Sequence, residues 1–145
     1  MKEETETILK DLFINDEGGY FPIPRRFSRV LGCNTAGLLE ELCDRYDYFK
    51  SIDGLNEYGE FYYIISDLEI NTGLTKSEQT TSIKKLVDYG FIISTTSRGL
   101  PKKRYFLMSD NIPLLLEVLI SESEKKKIKI QERNKNDTKS MKLPY

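Results

Sequence analysis

Two glycines and two hydroxyl-bearing residues punctuate the stretch from Ser66 to Met108 in a way that leaves it few folds. Ser66 is a plausible N-cap for a short helix, and Gly73 supplies the left-handed turn residue that ends it. Thr75 then caps a second helix, and Gly90 stops that helix where φ above zero is usually needed. Beyond it, Phe91 to Thr96 is rich in β-branched residues and Arg104 to Met108 is a second apolar run. The intervening Ser97 to Lys103 holds Gly99 and Pro101, which mark a hairpin turn. The pattern predicts a helix-turn-helix followed by a β-hairpin wing, an arrangement that can set one exposed helix in a DNA major groove.

The second helix divides cleanly by angle. At about 100° per residue from Ile83, residues Gln79, Ser82 and Leu86 fall on the same side, while Ser77, Thr81, Lys84 and Asp88 gather opposite. The outer face is therefore hydroxyl-rich and mostly uncharged or basic. Ser77, Thr80 and Thr81 can read base edges, with Lys76, Lys84 and Lys85 within reach of phosphates. An ordinary amphipathic surface helix has the same pattern, and the neighbouring hairpin tips the balance. Its turn carries Arg98, Lys102 and Lys103 and is followed by Arg104. Such a tip serves either as a solubilising turn or as a contact to the DNA backbone or minor groove. Its position directly after a recognition-type helix favours the contact.

The net charge of −1 hides a strong asymmetry. Residues 1–70 carry 7 Lys and Arg against 15 Asp and Glu, whereas residues 71–105 carry 7 against 2. A basic patch on an acidic body is the electrostatic footprint expected of a groove-binding face that does not cling to DNA at large.

A length of 145 residues with 39% hydrophobic and 31% charged residues suits one core with extensions. Three segments are expected: an acidic extension over 1–19, the helix-turn-helix and wing domain over 20–109, and a helix with a charged tail over 110–145. In the first, Ile8, Leu9, Leu12 and Phe13 stand at helical spacing, without the features of a signal peptide. Asp16 to Gly19 reads as a turn and Tyr20 to Pro24 as extended chain. Arg25 to Leu31 reads as a short helix ended by Gly32. Asn34 is a candidate cap for a helix to about Lys50 with Leu38, Leu39, Leu42, Tyr46 and Phe49 inward, and Phe61 to Ile65 reads as a strand. The fold class expected is mainly α with a small antiparallel β wing (α+β), a winged helix-turn-helix.

Catalysis and metal binding are poorly supplied. The chain has no His and no Trp, and Cys33 and Cys43 lack a second pair with which to build a zinc site. Cys43 reads as a small buried hydrophobe, not as half of a disulfide. No Gly-Lys-Ser/Thr loop or G-x-G-x-x-G occurs, and pairs such as Glu40-Glu41 point different ways on a helix. No enzyme activity, cofactor, metal or small-molecule substrate is expected. The aromatic residues from Tyr46 to Tyr63 suit core packing better than base stacking. Ile112 to Ile120, the longest apolar run, is interrupted by Glu117 and too short for a bilayer, so a cytoplasmic setting with no membrane partner is expected.

Several of these segments taken together carry a resemblance. Phe21-Pro-Ile-Pro-Arg-Arg-Phe27, the helix from Asn34, Gly73-Leu-Thr75 with Ile83-Lys-Lys-Leu86 and Gly90-Phe-Ile92, and Gly99-Leu-Pro-Lys-Lys-Arg-Tyr105 resemble the winged-helix domains of phage and plasmid proteins of Gram-positive bacteria. Some of these begin replication initiators or replisome organisers. The resemblance implies an origin or operator bound by Ser77, Thr80, Thr81, Lys84 and the wing from Arg98 to Arg104. It implies a role in transcription regulation or replication initiation of a mobile element.

In the tail, Ile112, Leu115, Leu116 and Leu119 form an apolar stripe that must pack either on the domain's own core or across a homodimer. From Ser121 onward the charged sequence is expected to fray. Two functions of different kinds follow: a protein that binds double-stranded DNA, or a winged helix that binds and modulates a protein factor, for which the acidic N-terminal half argues.

Overall fold

A computed structural model describes residues 1–14 and 22–140. The expected turn at Asp16 to Gly19 and the extended Tyr20 and Phe21 lie outside the described residues. The described chain runs α1 (Glu3–Ile14), α2 (Arg25–Leu31), α3 (Cys33–Ser51), β1 (Phe61–Ile64), α4 (Ile65–Thr72), α5 (Lys76–Asp88), β2 (Ile92–Thr96), β3 (Lys103–Met108) and α6 (Ile112–Ser140). It is mainly helical, with one three-stranded antiparallel sheet in the order β1-β3-β2. Phe61 pairs with Phe106 and Thr96 with Arg104, so β3 is the central strand.

The core grows from these periodicities. Along α3, Leu38, Leu39, Leu42 and Phe49 point inward, and in β1 the alternation buries Phe61 and Tyr63. Phe61 stacks against Phe106 across the ladder with ring centroids 5.6 Å apart, and against Phe49 at 6.0 Å. Leu68, Ile83, Leu86, Phe91 and Leu119 close the remaining sides. Where α3 meets α5 the side chains are small, and the Thr35 hydroxyl donates to Ser82 Oγ at 3.2 Å. The Tyr63 hydroxyl donates to Glu41 and accepts from Asn71 Nδ2, tying β1 to α3 and α4. Burial first, then the Glu41 carboxylate, pushes that phenol up to about 12.

Both expected turns form. Gly73 sits at φ 75° after α4, and Gly90 at φ 83° after α5. Thr75 builds a full capping box: its hydroxyl accepts from the Glu78 amide at 3.2 Å while its own amide donates to Glu78 Oε1 at 3.1 Å.

Four expectations need correction. The strand from Phe61 stops at Ile64, and Ser66 caps nothing, because β1 passes straight into α4. The amide of Ile65, the first of α4, donates to the Lys102 carbonyl at 3.1 Å. Asn34 lies inside α3, whose N-cap is Gly32 at φ 81°, and its side chain donates to Glu78 Oε2 at 3.4 Å. The charged segment from Ser121, expected to lose its helix, is helical as far as Ser140, the last described residue. That stretch lacks Gly and Pro and is dominated by Glu, Lys, Gln and Arg, good helix formers. It also extends a nucleus already docked on the core, so it does not bear the cost of starting a helix.

Of the two partners considered for residues 112–119, the chain's own core takes the stripe. Leu119 is fully buried, and Ile112, Leu115 and Leu116 pack on the core beside it. Any dimer contact through this helix would have to form on its other side, where Leu114 and Val118 are exposed. Ile8, Leu9 and Leu12 of α1 are also exposed. Among the described residues, no helix is long and apolar enough to cross a membrane.

Leu119→Ala should therefore lower unfolding stability by about 2–5 kcal/mol, the usual range for a fully buried leucine, in urea denaturation followed by circular dichroism. Val118→Ala, on the exposed side, should change it by less than about 0.5 kcal/mol.

Candidate nucleic-acid interface

Helix α5 carries the division expected of it. Gln79, Ser82, Ile83 and Leu86 are buried, and Lys76, Ser77, Thr80, Thr81, Lys84 and Asp88 are exposed. The Thr80 hydroxyl donates to the Lys76 carbonyl at 2.9 Å and that of Thr81 to the Ser77 carbonyl at 3.2 Å, leaving oxygen lone pairs directed outward or toward neighbours. Of the carboxylates nearby, Glu78 is engaged by Thr75 and Asn34. The Thr75 backbone, then its hydroxyl, holds the Glu78 carboxyl below its ordinary range. Asp88 stays exposed at the C-terminal end of the face.

Two of the expected DNA contacts have other occupations. Arg104 is only 6% exposed and does not belong to the hairpin surface. Its Nε donates to Gln79 Oε1 at 3.1 Å, and its Nη2 to Thr80 Oγ1 at 3.2 Å and to the Lys76 carbonyl at 3.4 Å. Gln79 in turn donates from Nε2 to the carbonyls of Ile65 at 3.1 Å and Leu74 at 3.0 Å. The guanidinium is thus a brace between β3 and α5, and desolvation lowers its proton affinity from the usual arginine value. Period-two alternation was the available signal, since Arg104 shares a sheet face with the buried Phe106. Lys85 is likewise drawn away: its Nζ donates to the Leu31 carbonyl at 2.8 Å, docking α5 on the C-terminus of α2.

Lys103 is half-buried, with Nζ 4.4 Å from the centre of the Tyr62 ring. The turn itself is closed by the Ser97 amide donating to the Lys103 carbonyl at 2.9 Å and the Lys103 amide donating to Ser97 Oγ at 3.0 Å. Arg98 and Lys102 remain as the exposed cations of the tip. The Arg104 brace holds this hairpin along the edge of α5 that carries Lys76 and Thr80. Lys76, Ser77, Thr80, Thr81 and Lys84 are exposed on the helix, and Arg98 and Lys102 are exposed on the hairpin that Arg104 ties to it.

The cysteines take no part in it. Cys33 is exposed and Cys43 half-buried, both as free thiols, and burial with the nearby Glu40, Asp47 and Asp44 pushes the Cys43 thiol up to about 11. Among the described residues, no group of three His, Cys, Asp or Glu side chains is placed to hold a metal ion. No family model matches the chain, nor does any curated protein or solved structure.

Arg104→Ala should destabilise the fold by about 1–3 kcal/mol, because Gln79 Oε1 is left buried and unpaired. Arg104→Lys should recover little of this, since an ammonium cannot reproduce the fork. Arg98→Ala should be neutral within about 0.5 kcal/mol. Chemical denaturation of the three variants checks the contrast.

Proposed function

We propose that this chain is a winged helix-turn-helix protein that binds double-stranded DNA, with α5 as its reading helix and the β2–β3 hairpin as its wing. The observation that carries the proposal is the exposed face of α5: three hydroxyl side chains, Ser77, Thr80 and Thr81, between two free lysines, Lys76 and Lys84, with the hairpin braced along one edge. Short hydroxyls on a rigid helix suit discrimination between base edges, and flexible cations at a hairpin tip suit positioning on phosphates. The order helix, strand, helix, helix, hairpin from residue 33 to 108 supports the same reading. The likeness to winged-helix domains of phage and plasmid proteins extends it to transcription regulation or replication initiation of a mobile element in the cytoplasm. A contact with a protein factor is a second reading, favoured by Ile8, Leu9 and Leu12, which α1 leaves exposed.

The two readings separate in a mobility shift at two salt concentrations, against a site selected by the protein from random duplexes. Thr81→Ala and Lys84→Ala should each cost about 1–3 kcal/mol on the selected site without unfolding the domain. Neutralising Arg98 and Lys102 should weaken binding to selected and random DNA alike, and reduce the slope of log affinity on log salt by about 0.9 for each phosphate no longer neutralised. Wild-type binding by all these variants would remove α5 and the hairpin as the DNA-binding surface, and a wild-type protein that shifts no duplex would transfer the function to the protein-contact reading.

A further inference from the structure

Helix α6 outruns the body it packs on. Among the described residues its last buried side chain is Ser123, and Ser140 lies about 26 Å further along at about 1.5 Å per residue. The charges on this overhang are sorted. At about 100° per residue from Lys125, Lys129 falls at about 40°, Arg133 at about 80° and Lys126 at about 100°, and all four are exposed. Glu132 borders the stripe at about −20° and Asp137 at about 120°, while Glu124, Lys127 and Lys135 lie outside it.

The direction of the stripe follows from contacts nearer the root of α6. Leu115, at about 80° on the same scale, lies 3.9 Å from where a Cβ on Gly90 would stand. Glu122, at about 60°, accepts a hydrogen bond from the Tyr89 hydroxyl at 3.1 Å. Tyr89 and Gly90 directly follow α5, so the basic stripe continues the side of α6 turned toward the C-terminal end of that helix. The corner is fastened by two lysines at one helix C-terminus. Lys126 Nζ donates to the Arg29 carbonyl at 2.8 Å, and Lys85 Nζ of α5 donates to the Leu31 carbonyl at 2.8 Å. Arg29 returns a bond from Nη1 to Ser123 Oγ at 3.0 Å. The hairpin is braced on one edge of α5 through Thr80 and Lys76; on the other edge Lys85 fastens α5 to α2, which carries α6, and the Tyr89 hydroxyl bonds α6 directly.

We infer that the overhang of α6 is a second phosphate-binding arm for double-stranded DNA, on the flank of α5 opposite the hairpin. Lys125, Lys129 and Arg133 make its contacts and Lys126 anchors it. The inference rests on the DNA-binding reading of α5. A membrane surface is a poorer match, because the overhang has no continuous apolar face to insert: Ile128 is exposed, and Ile130 points some 200° away from it.

The test uses the full chain and a duplex selected by the wild-type protein from a random library. Lys125→Gln/Lys129→Gln/Arg133→Gln should weaken binding at least about tenfold at moderate salt and reduce the salt slope by up to about 2.7. It should also shorten the protected footprint at one end, with helical content unchanged by circular dichroism. The charge-preserving Lys125→Arg/Lys129→Arg/Arg133→Lys should keep affinity, slope and footprint. Thr81→Ala, by contrast, should weaken the selected site and leave footprint length intact. A neutralised variant with wild-type slope and full footprint overturns the arm and leaves the reading helix standing. A wild-type protein that enriches no duplex at all overturns both.

Discussion

One buried polar junction decides how the hairpin sits against α5. The Gln79 carboxamide, with no exposed surface, donates to the carbonyls at the start of α4 and in the turn before α5, and accepts from Arg104. Arg104 adds Thr80 and the Lys76 carbonyl from the first turn and a half of α5. Apolar packing alone is indifferent to small rotations, whereas these bonds have direction. Each unpaired member would cost about 1–3 kcal/mol in the interior, so the network holds as a unit or fails as one. The relative placement of α4, its turn, α5 and β3 follows from it, and with it the shape of the exposed surface.

How much of this was legible depends on which force dominates at each position. Local chemistry sufficed for the capping box at Thr75, the left-handed glycines and the two faces of α5, because those features are decided within a few residues. It failed at Ser66 and Asn34, where a capping residue was present but tertiary partners or a glycine turn had already settled the helix start. It failed again beyond Ser121, where charge density argued for solvation while helix propensity and a docked first half prevailed. Arg104 shows the hardest case. Its charge argued for the surface and its register for the interior, and the interior prevailed because Gln79 and Thr80, distant in sequence, supply acceptors.

Within the candidate site, the same distinction separates cations that serve the fold from those free to meet a ligand. Residues 71–105 hold 7 basic side chains, yet Arg104 and Lys85 satisfy internal carbonyl or amide oxygens, and Lys103 lies over the Tyr62 ring. Lys76, Lys84, Arg98 and Lys102 remain exposed. Three of the seven cations counted in the sequence window are therefore not free to add to the electrostatic reach of this surface. In the proposed arm the compensation would lie outside the window, on the overhang of α6, where no base-reading motif would direct attention.

This redistribution bears on what kind of DNA binder the proposal describes. Four free cations on α5 and the hairpin would support a salt slope of at most about 3.6, which is shallow for a protein that must hold DNA at physiological ionic strength. Adding three from the arm raises the ceiling to about 6.3, within the range of proteins that make six or more phosphate contacts. The acidic body, with 15 carboxylates against 7 cations in residues 1–70, opposes approach in other orientations. Affinity would then depend on engaging the helix, the hairpin and the arm together, so a duplex that meets only one of them is released. Selectivity would thus begin with geometry, before any hydroxyl on α5 has tested a base.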